Sequence, residues 1–188
     1  MRAPRAGLRP ARPPRGSRTE TALASRIEAA WAALDAVPDP EVPAVSVRDL
    51  GIVRDVLEHG DGIEVVLTPT YSGCPATEVI ADSVRQALVD AGLGPVTVTQ
   101  RLAPAWTTDW ISAEGRARLL AYGIAPPGGA AAVLPGAPAA IRIRPTGVAC
   151  PRCGSGQTER LSAFGSTACK ALHRCLACRE PFEYFKPI

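Results

Sequence analysis

Apolar residues recur at three- and four-residue spacing from Leu23 onward. Leu23, Ile27, Trp31 and Leu34 fall on one stripe, which predicts a helix beginning near Thr19. Pro38 and Pro40 stop it, and Asp39-Pro-Glu-Val-Pro43 reads as a rigid, extended turn because a residue ahead of proline avoids helical angles. The period then shortens to two. Ile52–Glu58 and Ile63–Thr68 are predicted strands, joined by a His59-Gly-Asp-Gly62 hairpin in which His59 is a solvated turn residue. A helical period returns from Pro75 to about Ala91, with Ala76, Ile80, Val84, Ala87 and Ala91 inward and Gly92 and Gly94 ending it. Residues 95–101 alternate as a third strand. The order α-β-β-α-β predicts a small α+β sandwich with helices on one face of a sheet.

Beyond it, Ser112 is placed to cap a short helix from Ala113 to Ala121, with Glu114 in its first turn and Arg116 and Arg118 on its exposed side. Trp106 and Trp110 are read as core or edge packing, since aromatics are scarce in this chain. Residues 126–144 are mostly Pro, Gly and Ala, the composition of a linker, with Ile141–Arg144 as an edge strand leading into the C-terminal segment.

Charge changes the picture at one end. Of the 21 basic residues, six are arginines within the first eighteen positions, which contain no acid; the rest of the chain holds fifteen basic and 18 acidic residues. The folded part is therefore slightly acidic, which argues against a nucleic-acid surface. The segment 1–18 has no hydrophobic period and reads as a disordered tail. It is arginine-rich and acid-poor like a transit peptide, but poor in serine and broken by four prolines. No apolar run approaches the roughly 18 residues that span a bilayer, so the expected setting is the cytoplasm, where thiols stay reduced.

Six cysteines carry the candidate chemistry. Cys150-Pro-Arg-Cys153 and Cys175-Leu-Ala-Cys178 are two CxxC knuckles separated by twenty-one residues. Two such knuckles supply the four tetrahedral ligands of a closed zinc site, which predicts a zinc ribbon over 145–188 with a structural metal; rubredoxin-like iron is the rival occupant. His173 is a conceivable alternate ligand. Arg152, Arg160, Lys170, Arg174, Arg179 and Lys186 are read as a solvated face offsetting the charge of the metal–thiolate centre. Cys169 is the odd thiol: a packed hairpin residue, an auxiliary ligand, or a partner for Cys74.

Cys74 forms a second candidate site. Pro69-Thr-Tyr-Ser-Gly-Cys-Pro75 places it at the N-cap or N1 edge of the second helix, where free amides stabilise a thiolate. Gly73 is read as allowing close backbone approach or a left-handed turn, and Thr68, Thr70 and Ser72 surround the thiol with hydroxyls. One thiolate cannot close a metal site, so further ligands would come from Asp49, a small molecule, or a second copy in a homodimer. The local motif fits a space-filling buried cysteine equally well.

These segments carry a resemblance. Asp39-Pro-Glu-Val-Pro, Val45–Val53 and Leu67–Pro75 resemble the metal–sulfur cluster biosynthetic domain family, which includes SufT, over roughly residues 20–125. The knuckles, Phe164–Leu172 and Arg174–Phe182 resemble the zinc ribbon of the PaaD (PaaJ) family of small subunits encoded with phenylacetyl-CoA epoxidases. The resemblance implies an accessory protein that assists maturation or insertion of an iron–sulfur or iron centre in the oxygenase and reductase subunits, its partners. It also implies that Cys74 contacts a transient iron–sulfur cluster. A noncatalytic structural subunit is the alternative, and an enzyme using Cys74 as nucleophile a weaker one, since no histidine or acid sits at a recognisable base spacing.

Overall fold

The computed structural model describes residues 18–128 and 148–188; the basic tail to position 17, most of the predicted linker and the Ile141–Arg144 strand lie outside these. Helix α1 spans Arg18–Asp35. Strands β1 (Val53–His59) and β2 (Gly62–Leu67) form an antiparallel hairpin, and β3 (Val96–Gln100) returns parallel to β2 after helix α2 (Thr77–Asp90). The sheet order is β1-β2-β3. Each boundary falls within two residues of the one the periodicity predicts. On β2 the alternate residues Ile63, Val65 and Leu67 join Ala30 and Leu34 of α1 and Ile80, Val84 and Leu88 of α2 in one core. The period-2 and period-3.6 stripes thus meet as the pattern requires.

Helix α3 spans Ala113–Tyr122, and Ser112 caps it by accepting from the Gly115 amide at 2.8 Å. The cap is itself held, because Ser112 Oγ donates to Asp49 Oδ1 at 3.0 Å. Arg116 is not on an exposed side. It is half-buried and donates to the carbonyls of Thr108 and Pro127, at 2.6 and 2.9 Å, tying the helix to the segments before and after it. Trp106 is buried with its Nε1 donating to the Leu50 carbonyl at 2.9 Å, and Trp110 carries the Arg54 guanidinium 3.5 Å above its ring.

The largest departure from the sequence reading is at the join. Strand β4 (Ile124–Ala125) follows α3 directly and pairs in parallel with β7 (Pro181–Phe185). The second sheet is ordered β4-β7-β6-β5, with β5 at Thr158–Ser162 and β6 at Lys170–Cys175. The ribbon therefore takes its fourth strand from the N-terminal half. Phe185 and Cys169 of the ribbon belong to the N-terminal core, and the Phe185 ring lies 5.9 Å from that of Trp106. Thr107 Oγ1 and the Thr108 amide both donate to the Ile188 carbonyl, at 2.9 and 3.3 Å. The two halves share a sheet and a core, in place of the two units on a tether that the Pro/Gly/Ala composition suggests.

Some glycines in this frame admit no side chain, Gly51 among them. Gly51 has φ +67°, and a Cβ there would stand 2.6 Å from the Trp110 carbonyl oxygen. Gly51→Ala is expected to cost about 2–4 kcal/mol, the sum of left-handed strain and backbone overlap. Chemical denaturation of the variant beside the parent protein measures it.

Candidate metal centre and thiol junction

The four knuckle cysteines converge. All four sulfurs lie within 4.8 Å of one another, with Cys150–Cys178 at 3.7 Å and Cys153–Cys175 at 3.6 Å. Tetrahedral zinc at its usual sulfur distance sets the ligands about 3.8 Å apart, the spacing those two pairs already have, so the donor set suits the ion. The backbone explains the convergence. Each knuckle closes with a left-handed residue just after its second cysteine: Gly154 at φ +73° and Arg179 at φ +68°. The Gly154 amide donates to the Cys150 carbonyl at 2.9 Å, turning the first knuckle; the Cys175 amide donates to the Glu180 carbonyl at 3.0 Å, spanning the second. Amides also point at sulfur, Arg152 N to Cys150 Sγ at 3.4 Å and Cys178 N to Cys175 Sγ at 3.5 Å, as in tuned thiolate sites. The Cys178 amide, then that of Ala177, bring the Cys175 thiol down, while the Cys178 thiol coupled to it is pushed up, so the metal-free pair shares its protons. A set of four protein sulfurs leaves no open position, so the bound metal would stabilise the fold.

His173 and Cys169 stand outside this set. His173 is buried between the rings of Phe182 and Tyr184, at 5.7 and 5.5 Å, and burial lowers its pKa, keeping the ring neutral. Of the six basic residues read as a solvated face, Lys170 is not solvated. It is 2 % exposed, and its Nζ bonds Glu183 Oε2 at 2.8 Å. Glu183 Oε1 accepts the Ser166 amide at 2.5 Å. A Cβ on Gly165 would come 2.6 Å from that same oxygen, which explains a glycine in the Phe164-Gly-Ser run.

Cys74 lies further from its helix than the sequence suggests. The first residue of α2 is Thr77, with Ala76 as cap, because a separate turn intervenes. In that turn the Cys74 amide donates to the Tyr71 carbonyl at 3.2 Å, and Thr77 Oγ1 donates back to the Cys74 carbonyl at 2.8 Å. The thiol is half-buried on an apolar recess lined by Ile52, Leu67, Pro69, Thr70, Thr77 and Ile80. The recess measures ≈ 10 Å³, about the space of one water, and admits no organic substrate. Thr68 is buried, Thr70 half-buried and Ser72 exposed. Gly73 makes neither the close approach nor the left-handed turn expected of it: a Cβ there would meet nothing within 4 Å. It leaves the rim beside the thiol bare.

Asp49 is not spare for this site. Its Oδ2 accepts the Ser46 amide at 3.1 Å and pairs with Arg118 at 2.6 Å, while Oδ1 holds Ser112. It fastens α3 to the loop before β1. The Asp39-Pro-Glu-Val-Pro segment, which the sequence marked only as a turn, carries a buried acid. Asp39 is buried, with Oδ1 accepting the Glu41 and Val42 amides at 2.9 and 2.8 Å. Cys169, at the start of the ribbon's second strand, is 5 % exposed in the core against which Cys74 packs; Thr167 Oγ1 lies 3.0 Å from its sulfur. Burial pushes its thiol up, and the nearby Glu41 adds to that. Tyr71 records the whole group: burial, then Cys74, Glu41 and Cys169, push its phenol up to about 12. The ribbon thus contributes a second thiol to the core against which Cys74 packs.

Residues 27–99 match the family model for iron-sulfur cluster assembly proteins, and residues 137–186 match the PaaD zinc beta ribbon domain. An Escherichia coli (strain K12) protein named as one of the subunits of 1,2-phenylacetyl-CoA epoxidase is 47% identical over 171 residues, 91% of this chain and 99% of that one. The Fe-S protein maturation auxiliary factor YitW of Bacillus subtilis (strain 168) is 39% identical over 84 residues, 43% of this chain and 79% of that protein. A crystal structure of a DUF59 domain from Bacillus anthracis, 26% identical, covers 54% of the chain and 97% of its own length at a TM-score of 0.49.

Proposed function

The chain belongs to the PaaD family of phenylacetyl-CoA epoxidase subunits, and from that premise we propose that it is an accessory protein handling metal for such an epoxidase. It assists maturation or insertion of an iron–sulfur or iron centre in the oxygenase and reductase subunits in the cytoplasm, without turning over substrate itself. Cys74 is the thiol that contacts the iron or cluster, and the four-cysteine ribbon holds a structural zinc. The observation that carries this reading is the contrast between the two cysteine sites. One set of four sulfurs is complete and closed; Cys74 is half-exposed on a bare rim, above a recess too small for an organic substrate. A thiol so placed can bind and release a soft ion, while among the described residues nothing beside it acts as a general base. The Asp39 carboxylate is occupied by the Glu41 and Val42 amides.

The test is a strain lacking this protein. Epoxidase purified from it should hold little of its iron and show correspondingly little activity. Complementation with the parent gene should restore both, and Cys74→Ser should restore neither. Full iron loading in the deletion strain overturns the proposal. Co-purification at fixed stoichiometry, with Cys74→Ser indistinguishable from the parent, would assign a structural subunit in its place.

A further inference from the structure

The four ribbon sulfurs are alike as ligands and unlike in their surroundings. Cys150 and Cys175 are buried, at 2 % and 0 % exposed, whereas Cys153 and Cys178 are exposed. Amides point at both buried sulfurs, Arg152 N at Cys150 and Cys178 N at Cys175. A thiolate that accepts an amide gives up charge to it and becomes a weaker nucleophile. The exposed pair differ in the left-handed residue that follows each. After Cys178 it is Arg179; after Cys153 it is Gly154, where a Cβ would meet nothing within 4 Å. Space is therefore open beside Cys153, and among the described residues no amide is directed at its sulfur. The contact that sulfur does make is with Cys175 Sγ, 3.6 Å away on the opposite knuckle. We infer that Cys153 is a site of oxidative modification, at which a hydroperoxide opens the four-sulfur centre and Cys175 resolves the product.

The chemistry needs no reactant beyond the hydroperoxide. The Cys153 thiolate attacks one peroxide oxygen: an S–O bond forms as the O–O bond breaks, and the other oxygen leaves as hydroxide or alkoxide. The sulfur is oxidised by two electrons to a sulfenic acid, and the peroxide is reduced by the same two. The Cys175 thiolate then attacks the sulfenic sulfur, forming the S–S bond and expelling hydroxide. With Cys153 and Cys175 joined, only Cys150 and Cys178 remain as ligands, too few for a closed tetrahedral site, so Zn²⁺ is released with its oxidation state unchanged. The new bond crosses from one knuckle to the other and closes neither CxxC on itself. Cys175 ends β6, whose partner β7 carries Phe185 against Trp106, so a change at the exposed rim is conducted to the N-terminal core. The inference stands on the ribbon alone and is independent of the reading of Cys74.

The experiment uses the full chain, loaded with zinc and treated anaerobically with successive equivalents of hydrogen peroxide. Zinc release is read with a chromogenic chelator, free thiols are counted, and disulfides are mapped by mass spectrometry without reduction. Release should keep pace with the loss of two ribbon thiols per zinc, and the first ribbon disulfide should be Cys153–Cys175. Dimedone present during the oxidation should trap the sulfenic acid on Cys153. Cys74→Ser, which keeps all four ligands, should release zinc at the parent rate. A first disulfide within one knuckle, Cys150–Cys153 or Cys175–Cys178, overturns the inference, as does a first dimedone adduct on Cys178. Zinc retained at full stoichiometry after Cys74 is completely oxidised overturns it as well. Slowed release in Cys74→Ser would make Cys74 the thiol that meets the peroxide, and Cys153 would lose the role.

Discussion

Cys150→Ser or Cys178→Ser should abolish binding of the one zinc per chain and unfold residues 148–188, the largest single effect expected of any substitution here. Structural zinc contributes about 10–16 kcal/mol in small metal-dependent modules, more than a domain's whole net stability. The ribbon cannot replace that from its own core, whose buried apolar members are Ala125, Cys150, Cys175 and Phe182, two of them ligands and one borrowed from β4. The effect should also travel. Phe185 packs on Trp106, and β7 pairs with β4, so release of zinc strips a wall from the N-terminal core. Tryptophan emission should shift to the red on chelation and recover on adding zinc, and a Trp106→Phe variant should show most of that shift gone. Zinc retained at full stoichiometry in either serine variant would mean that the ligand set is wrong; an unmoved Trp106 signal would mean that the two halves do not share a core in solution.

That coupling is what the sequence concealed. Periodicity located α1, α2 and the first three strands to within two residues, because each lays a stripe on a single element and the stripes face one core. The convergence of the four knuckle cysteines was legible for the same local reason: a two-residue spacer determines a knuckle whatever surrounds it. Docking of one half on the other leaves no such mark. Ile124 and Ala125 are two apolar residues among many, and only the register with Glu183 and Tyr184 makes them a strand. Asp39 and Glu41 looked like punctuation in a proline turn, and only the fold shows Asp39 buried and holding the Glu41 and Val42 amides. Asp49 was misplaced for the converse reason. It stands in the segment that resembles the cluster-assembly family, yet its oxygens are taken by Ser46, Ser112 and Arg118.

Lys170→Met should be the most destabilising change outside the zinc ligands. Removing one partner of a buried ion pair costs about 3–5 kcal/mol, since the other charge is left without compensation in a poorly solvated site. Glu183 keeps only the Ser166 amide, and Asp39 and Glu41 lose their nearest cation. Adding Glu183→Gln should recover most of the loss, because the amide oxygen still accepts from Ser166 while no charge remains to be desolvated. The pH dependence separates this from a packing defect. In the parent protein burial alone would raise the Glu183 carboxyl, but Lys170 and the Ser166 contacts outweigh it and hold the pKa below the ordinary 4.5. A depressed carboxyl contributes stability that is present above about 4.5 and lost as pH falls through the lower folded value. Without Lys170 the desolvation remains unopposed by charge, the folded pKa rises above the unfolded one, and acid now relieves the buried charge. The Glu183 contribution should therefore change sign: the Lys170→Met deficit, measured by denaturant unfolding from neutral pH down to about pH 4, should shrink as the solution becomes more acidic. A deficit that stays constant across that range would assign the loss to the packing of the lysine's methylenes, and the ion pair between β6 and β7 would carry none of it.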